Sequence, residues 1–186
     1  MRGFTSRTAG QLPYDVVFLL NRFFDAIVPA IRTSGGTVDK YLGDGLLAVF
    51  EDRNPEASAR AGLRAVRGIS EALAEFHTRL RMEGAPEVAI GVGLHLGTVV
   101  LGEIGARGAA PRTIIGDTVN TASRLEARTK ELGVQALISE PVLRAAGVEA
   151  GGLSLQSLEL RGVAEPLRAL LMKDGREVHH LLAETA

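Results

Sequence analysis

The stretch "TVDKYLGDGLLAVF" at residues 37–50 places an Asp-Gly step between two apolar runs. Such runs on both sides of Asp-Gly are typical of a β-hairpin, so we predict two short strands around a Gly43–Gly45 turn. Asp44 then lies at the tip of the hairpin. Its carboxylate has two interpretations, because Asp-Gly forms type I′ turns for local reasons alone, whereas a carboxylate at the rim of a sheet also suits a hard divalent cation.

Lys40 precedes Asp44 by four positions in the predicted first strand. An even separation in a strand places both side chains on one face. The two residues can form a simple salt bridge, or they can line one groove in which Lys40 contacts a base and Asp44 holds a metal. The residues alone leave both possibilities open.

Long amphipathic segments flank the hairpin. Apolar residues at steps of three and four predict a helix over residues 14–33. It ends at Ser34-Gly35-Gly36, because glycine accepts the left-handed cap. A second helix is predicted over residues 55–83, with Pro55 in its first turn.

The second half of the chain alternates strands and helices. Apolar side chains alternate over residues 88–94, so Gly91 and Gly93 share the other face of a predicted strand and permit a helix to pack closely. Further strands are predicted at 98–104, 113–115, 133–139 and on both sides of 161–165, and helices at 116–132 and 140–147. This order predicts an α+β fold, a mixed sheet covered by helices, over residues 1–172. The polar residues 173–186 are predicted to form a marginal C-terminal tail.

The composition excludes several classes of function. The 186 residues carry 21 basic and 22 acidic side chains, a net charge of -1, which leaves no electrostatic footprint for nucleic acid or an anionic membrane. The absence of cysteine excludes disulfides, a thiol nucleophile and a zinc–thiolate site. No apolar run reaches about 18 residues, so we predict no membrane span and expect a cytoplasmic location. The four histidines show no zinc spacing, and Ser123 has no histidine in its motif to complete a hydrolase triad.

The predicted helix at 116–132 carries a polar stripe of Asn120, Arg124 and Arg128 at steps of four. An amide and a guanidinium near a helix N-terminus suit an anion, because free backbone amides and the helix dipole point to the same place. A solvated helix face explains the same pattern, and the helix alone does not separate the two interpretations.

Four motifs in order strengthen the functional interpretation. They are "RGFTS" at residues 2–6, the hairpin motif "GGTVDKYLGDGLLAVF" at 35–50, "IGVGLHLGTVVLGEIG" at 90–105 and "TIIGDTVNTASRLEA" at 113–127. Together they resemble the catalytic domain of class III nucleotide cyclases over about residues 1–172. The resemblance implies a ferredoxin-like mixed sheet with helices. It also implies a homodimer whose active sites lie at the interface, one subunit supplying the metal-binding aspartates and the other the base-reading residues.

The resemblance assigns roles to individual residues. Asp44 matches the second of two aspartates that hold two Mg²⁺ or Mn²⁺ ions. The Gly3-Phe4-Thr5 loop matches the backbone cradle for the triphosphate. The remaining matches are Lys40 and Thr113 for the purine, Asn120 for the ribose, Arg124 for the α-phosphate, and Arg161 as a weaker candidate for the triphosphate, since Val163 replaces a lysine found in some members.

These assignments favour ATP as the substrate. A lysine side chain only donates hydrogen bonds, so Lys40 suits the N1 acceptor of adenine and opposes guanine, whose N1 carries a proton. The Thr113 hydroxyl can accept from the adenine N6 amine. We therefore predict an adenylate cyclase that converts ATP to cyclic AMP and pyrophosphate. The alternatives are a guanylate cyclase and a catalytically impaired module that binds nucleotide or only dimerises.

The resemblance also places the first metal aspartate directly before Met1, at the end of a buried central strand. Neither is part of this sequence, so the expected fold lacks its first strand. We expect a start codon assigned too late, with a fragment or a true loss as alternatives, and we expect catalysis by these 186 residues alone to be impaired. A sensor domain for an activating signal would lie outside these residues.

Overall fold

The computed structural model describes residues 1–4, 9–10, 12–103, 112–149, 153–163 and 165–183. Helices and strands alternate along these residues, as the sequence predicts. The helices are α1 (Pro13–Thr33), α2 (Pro55–Met82), α3 (Asp117–Glu131), α4 (Glu140–Ala145) and α5 (Val178–Ala183). The strands are β1 (Thr37–Leu42), β2 (Gly45–Val49), β3 (Val92–Leu94), β4 (Val100–Glu103), β5 (Arg112–Ile115), β6 (Ala136–Ser139), β7 (Leu155–Leu158) and β8 (Leu167–Met172).

The described strands form a central sheet and two hairpins. The central sheet has the order β3-β6-β8-β7, in which β3 and β6 are parallel and the other pairs are antiparallel. The pairs β1-β2 and β4-β5 are antiparallel hairpins. The predicted α+β fold with a mixed sheet is therefore confirmed. Within the described residues, β2 pairs only with β1 and β3 only with β6.

The β1-β2 hairpin differs from the prediction in its turn. Leu42 pairs with Gly45, so Gly43 and Asp44 are the two turn residues. Gly43 has φ +61°, whereas Asp44 keeps a negative φ. A type I′ turn needs positive φ at both positions and a type II′ turn only at the first. Asp44 therefore occupies the second turn position with an ordinary negative φ, and Gly43 occupies the first position, which requires a positive φ.

The core lies on both sides of the mixed sheet. On one side α1 and α2 pack through three facing side chains each: Phe23, Ile27 and Ile31 from α1, and Ile69, Leu73 and Phe76 from α2. On the other side α3 packs on β3. The close packing predicted from Gly91 and Gly93 is confirmed, because a Cβ at Gly93 would lie 2.3 Å from the Ala122 carbonyl oxygen and 2.5 Å from the Glu126 backbone nitrogen.

Strand β3 is shorter than the alternation predicts. Val88 and Ile90 are buried as expected, but ladder pairing begins only at Val92. Before that point the Ala89 carbonyl oxygen accepts a hydrogen bond of 2.7 Å from the Arg2 amide, and the Val88 carbonyl oxygen lies 2.7 Å from His77 Nε2 of α2. The alternation of apolar and other residues predicts which side chains are buried. A strand also needs a neighbouring strand to pair with, and among the described residues no strand pairs with residues 88–91.

The expected marginal tail is packed where the structure describes it. A 3₁₀ turn at Gly175–Glu177 leads into α5, and Val178 and Leu181 are buried in the core beside α2. Their spacing of three places both on one helical face. The sequence analysis missed this face because the segment as a whole is polar. The division at residue 172 stays a prediction, but residues 173–183 contribute to the same core.

Across the described ranges, no helix combines the length and the apolar character that a bilayer crossing requires.

Candidate active site

Lys40 and Thr113 meet although they lie 73 positions apart. The Lys40 ammonium on β1 donates a hydrogen bond to the Thr113 hydroxyl on β5. The structure thus joins the two residues that the resemblance assigns to purine recognition, and both come from the same chain. Thr113 is half-buried and Lys40 keeps 39% of its side-chain surface exposed, so the ammonium remains accessible to a ligand.

Asp39 is a member of this cluster that the sequence analysis missed. Its Oδ2 lies 3.2 Å from Lys40 Nζ, and only 11% of its side chain is exposed. Two consecutive strand residues normally point to opposite faces, so no alternation pattern could have predicted this pair. A β-bulge between Val38 and Lys40 brings them together.

Asp44 lies beside the beginning of the described chain. The Met1 nitrogen is 2.9 Å from Asp44 Oδ2 and donates a hydrogen bond of 2.9 Å to the Asp44 carbonyl oxygen. Asp44 keeps 32% of its side chain exposed. No group of three His, Cys, Asp or Glu side chains in the described ranges could hold a metal ion by itself. The carboxylate fits the mode of Mg²⁺ binding in which one or two carboxylates share the ion with substrate phosphates, rather than an all-protein cage.

Glu126 is a second acidic side chain near Asp44 that the sequence analysis missed. It lies on the face of α3 that packs on β3, where a Cβ at Gly91 would be 2.7 Å from its Oε1. Desolvation raises the pKa of Glu126, the Met1 α-ammonium and the Arg2 guanidinium lower it, and the Asp44 carboxylate raises it further. The sequence analysis missed Glu126 because it considered only the polar stripe of α3. Glu126 is two residues from Arg124, so it lies on the opposite side of the helix from that stripe.

Helix α3 begins at an N-cap, Gly116, whose φ is +147°. The Thr118 hydroxyl donates a hydrogen bond of 2.7 Å to the Thr98 carbonyl oxygen and ties the first turn to the β3–β4 segment. Asn120 follows at the end of that turn and is exposed. The first turn of α3 is therefore anchored, and it presents Asn120 to solvent.

Arg124 contacts the turn that carries Arg161. A Cβ at Gly162 would lie 3.2 Å from Arg124 Nη2, and Arg161 beside it is exposed. Val163, by contrast, is partly buried against a core cluster. Arg128 pairs with Glu131 on its own helix, which supports the solvated-face interpretation for this one member of the stripe.

Other predicted residues stay apart. In the part of the chain that the structure describes, no hydrogen bond or ion pair joins Asp44 to Asn120 or Arg124. Phe4 is half-buried after Gly3, whose φ is +65°, and Thr5 lies outside the described residues. As expected for a packed residue, His95 Nδ1 lies 2.8 Å from the Ser139 hydroxyl.

The fold and the cluster of motifs define a nucleotide cyclase domain. Residues 1–156 match the family described as the adenylate and guanylate cyclase catalytic domain, and the chain belongs to this family. The enzymes of this family are phosphorus–oxygen lyases. The predicted resemblance is confirmed.

Two of the relatives are adenylate cyclases of much greater length. The chain is 36% identical over 148 residues to an adenylate cyclase of Anabaena cylindrica, covering 77% of this chain and 29% of that protein. It is 34% identical over 145 residues to adenylate cyclase 1 of Rhizobium meliloti, covering 75% of this chain and 21% of that protein. The chain thus spans less than a third of either relative.

Solved structures show the same fold. The guanylyl cyclase Cya2 superposes with a TM-score of 0.76 at 31% identity, covering 92% of this chain and 86% of that one. The adenylyl cyclase CyaB of P. aeruginosa has a TM-score of 0.76 at 24% identity, covering 91% of this chain and 88% of that one. The first of these is a guanylyl cyclase and the second an adenylyl cyclase, so the fold is shared by both activities.

Proposed function

We propose that this chain is an adenylate cyclase domain that converts ATP to 3′,5′-cyclic AMP and pyrophosphate. The observation that carries the proposal is the Lys40 ammonium held at the Thr113 hydroxyl in a member of the cyclase family. This pair offers a donor for adenine N1 and a hydroxyl acceptor for the N6 amine. Guanine reverses both groups, so an ammonium at this position opposes GTP.

The proposed reaction is an internal displacement at phosphorus. The ribose 3′-oxygen attacks the α-phosphorus, a new O–P bond forms, the bond from the α-phosphorus to the bridging oxygen breaks, and pyrophosphate leaves. The 3′-hydroxyl proton passes to solvent. Asn120 orients the ribose, and Arg124 stabilises the negative charge that develops on the α-phosphate, as a preorganised donor does in other phosphoryl transfers.

Asp44 is the proposed metal-binding residue. A Mg²⁺ or Mn²⁺ ion bound there would lower the pKa of the attacking hydroxyl and neutralise phosphate charge. The exposure of Asp44 supports the assignment, because 32% of its side chain is open to an ion and to substrate phosphates.

A homodimer with shared sites is part of the proposal. Within one protomer, no bond among the described residues connects Asp44 with Asn120 or Arg124, as expected if each group serves a site with the partner. The β4-β5 hairpin supports an interface, since its paired residues Val100 and Ile115 are 64% and 41% exposed. Exposed apolar side chains that lie side by side mark a contact surface.

The test is an assay of the chain with ATP or GTP and Mn²⁺, measuring both cyclic products and nucleotide binding. Cyclic AMP that disappears in Asp44→Asn supports the proposal. Cyclic GMP without cyclic AMP supports a guanylate cyclase instead. Binding of ATP without product supports the second candidate, an impaired nucleotide-binding module. This candidate is favoured because no group of three His, Cys, Asp or Glu side chains in the described residues could hold a metal ion.

A further inference from the structure

We propose that Asp39 is a positioning residue for substrate selection, whose carboxylate holds the Lys40 ammonium beside Thr113. The inference rests on the proposed function of Lys40 in reading adenine. Its basis is the ion pair of 3.2 Å between Asp39 Oδ2 and Lys40 Nζ, formed while the same ammonium donates to the Thr113 hydroxyl.

The backbone is built to make this pair possible. Val38 pairs with Ala48 and Lys40 pairs with Leu47, so Asp39 is an extra residue without a partner on β2. In a regular strand Asp39 and Lys40 would point to opposite faces. A bulge re-aims one side chain, and bulges are common beside active sites. Here the bulge places an acidic side chain beside the lysine that we propose reads the base.

The charges make the two residues dependent on each other. Asp39 Oδ2 is buried and makes no hydrogen bond among the described residues. Among the described residues, Lys40 is the cation that forms an ion pair with Asp39. A buried carboxylate is tolerated when a counter-charge accompanies it, and removing one partner leaves an uncompensated charge.

The geometry also explains how Lys40 selects a base. An ammonium has three donor hydrogens. One is directed to Thr113, and the attraction to Asp39 holds the ammonium in place, so donors remain for a ring acceptor such as adenine N1. Without Asp39, the long flexible side chain of Lys40 loses its second anchor, and its remaining donors no longer have a defined direction. Asp39 also opposes an acceptor at position 40, because a glutamate there would put two carboxylates side by side.

The first experiment measures stability and needs no activity. We expect Lys40→Glu to lower the thermal unfolding midpoint of the chain, and Asp39→Asn in the same molecule to restore at least half of that loss. The matched control is Glu75→Gln, which removes an exposed carboxylate of α2, and it should restore none. If Lys40→Glu does not fold, Lys40→Met with and without Asp39→Asn replaces it. A double variant no more stable than its Lys40 parent overturns the proposal.

The second experiment measures selection. We expect Asp39→Asn to lower the ratio of kcat/KM for ATP to that for GTP by about fivefold, with KM for ATP changing more than kcat. Asp39→Glu, which keeps the charge, should retain most of the ratio. An unchanged ratio in Asp39→Asn overturns the selection role. If wild type neither binds nor converts nucleotide, the proposed function fails, while the stability comparison still decides whether Asp39 and Lys40 hold each other.

Discussion

The Lys40 ammonium donates a hydrogen bond to the Thr113 hydroxyl and thereby joins strand β1 of one hairpin to strand β5 of another. The two strands belong to separate sheets in the described residues, so the contact is tertiary. It gives a single protomer both groups proposed to read the base. Substitution of Thr113 therefore tests base recognition directly.

Thr113→Ala should lower kcat/KM for ATP by about tenfold, because a hydrogen bond to the base and the partner of Lys40 are both lost. Steady-state kinetics with ATP and GTP measures the change. Thr113→Ser keeps the hydroxyl and should stay close to wild type. Equal losses in the two variants would show that the hydroxyl is not the group that matters.

Arg124→Ala should reduce kcat by about 100-fold or more, because the charge developing on the α-phosphate loses its donor. Single-turnover rates of cyclic AMP formation measure it. Arg128→Ala is the control, since Arg128 lies one turn later on α3 and pairs with Glu131. An Arg124 variant as fast as the Arg128 variant would remove Arg124 from the site.

Mixing Asp44→Ala with Asn120→Ala protein should restore activity that neither variant has alone. One of the two sites in a mixed dimer then combines an intact Asp44 with an intact Asn120. Cyclic AMP formation is measured against the ratio of the two proteins. No recovery in a mixture shown to form mixed dimers argues for sites built within one protomer.

Gly93→Ala should destabilise the chain by about 1–3 kcal/mol, because its methyl group would collide with the backbone of α3. The colliding atoms are the Ala122 carbonyl oxygen at 2.3 Å and the Glu126 nitrogen at 2.5 Å. Chemical denaturation measures the free energy of unfolding. Gly102→Ala is the control, because a Cβ there has nothing within 4 Å; equal effects of the two substitutions would contradict the close packing.

Stability should fall as the pH drops below 6.5, the ordinary pKa of histidine, because desolvation lowers the pKa of His95 in the folded chain. The unfolded chain then binds the proton first, so protonation favours unfolding across the interval between the two pKa values. His95→Gln should reduce this dependence. Unfolding midpoints at pH 7.5 and pH about 5 measure it, and identical slopes in both proteins would exclude His95 as the source.

The elements were predictable because their signals are local. Steps of three and four marked α1 and α2, and Asp-Gly between apolar runs marked the β1-β2 hairpin. The predictions were less accurate where the structure of a segment depends on its packing or pairing with a distant segment. Residues 88–91 have the pattern of a strand but no ladder partner among the described residues, and Val178 and Leu181 are buried in a segment whose composition is polar.

The residues of the candidate site also fall into two groups, those that the sequence predicted and those that only the structure revealed. Lys40, Asp44, Asn120 and Arg124 were predicted from motifs and from the resemblance to the cyclase family. Asp39 and Glu126 were not. Asp39 reaches Lys40 only through a bulge, and Glu126 approaches Asp44 only because α3 packs on the glycines of β3.

The sequence by itself determined the order of helices and strands, the family and the residue types that could bind a nucleotide, since periodicity, turn chemistry and motifs are properties of neighbouring residues. Only the tertiary structure decided that Asp39 lies beside Lys40, that Lys40 reaches Thr113, and that Arg124 lies against the Gly162 turn. The physical reason is that a side chain's partner depends on register, bulges and packing between distant segments, none of which leaves a repeating signal along the chain.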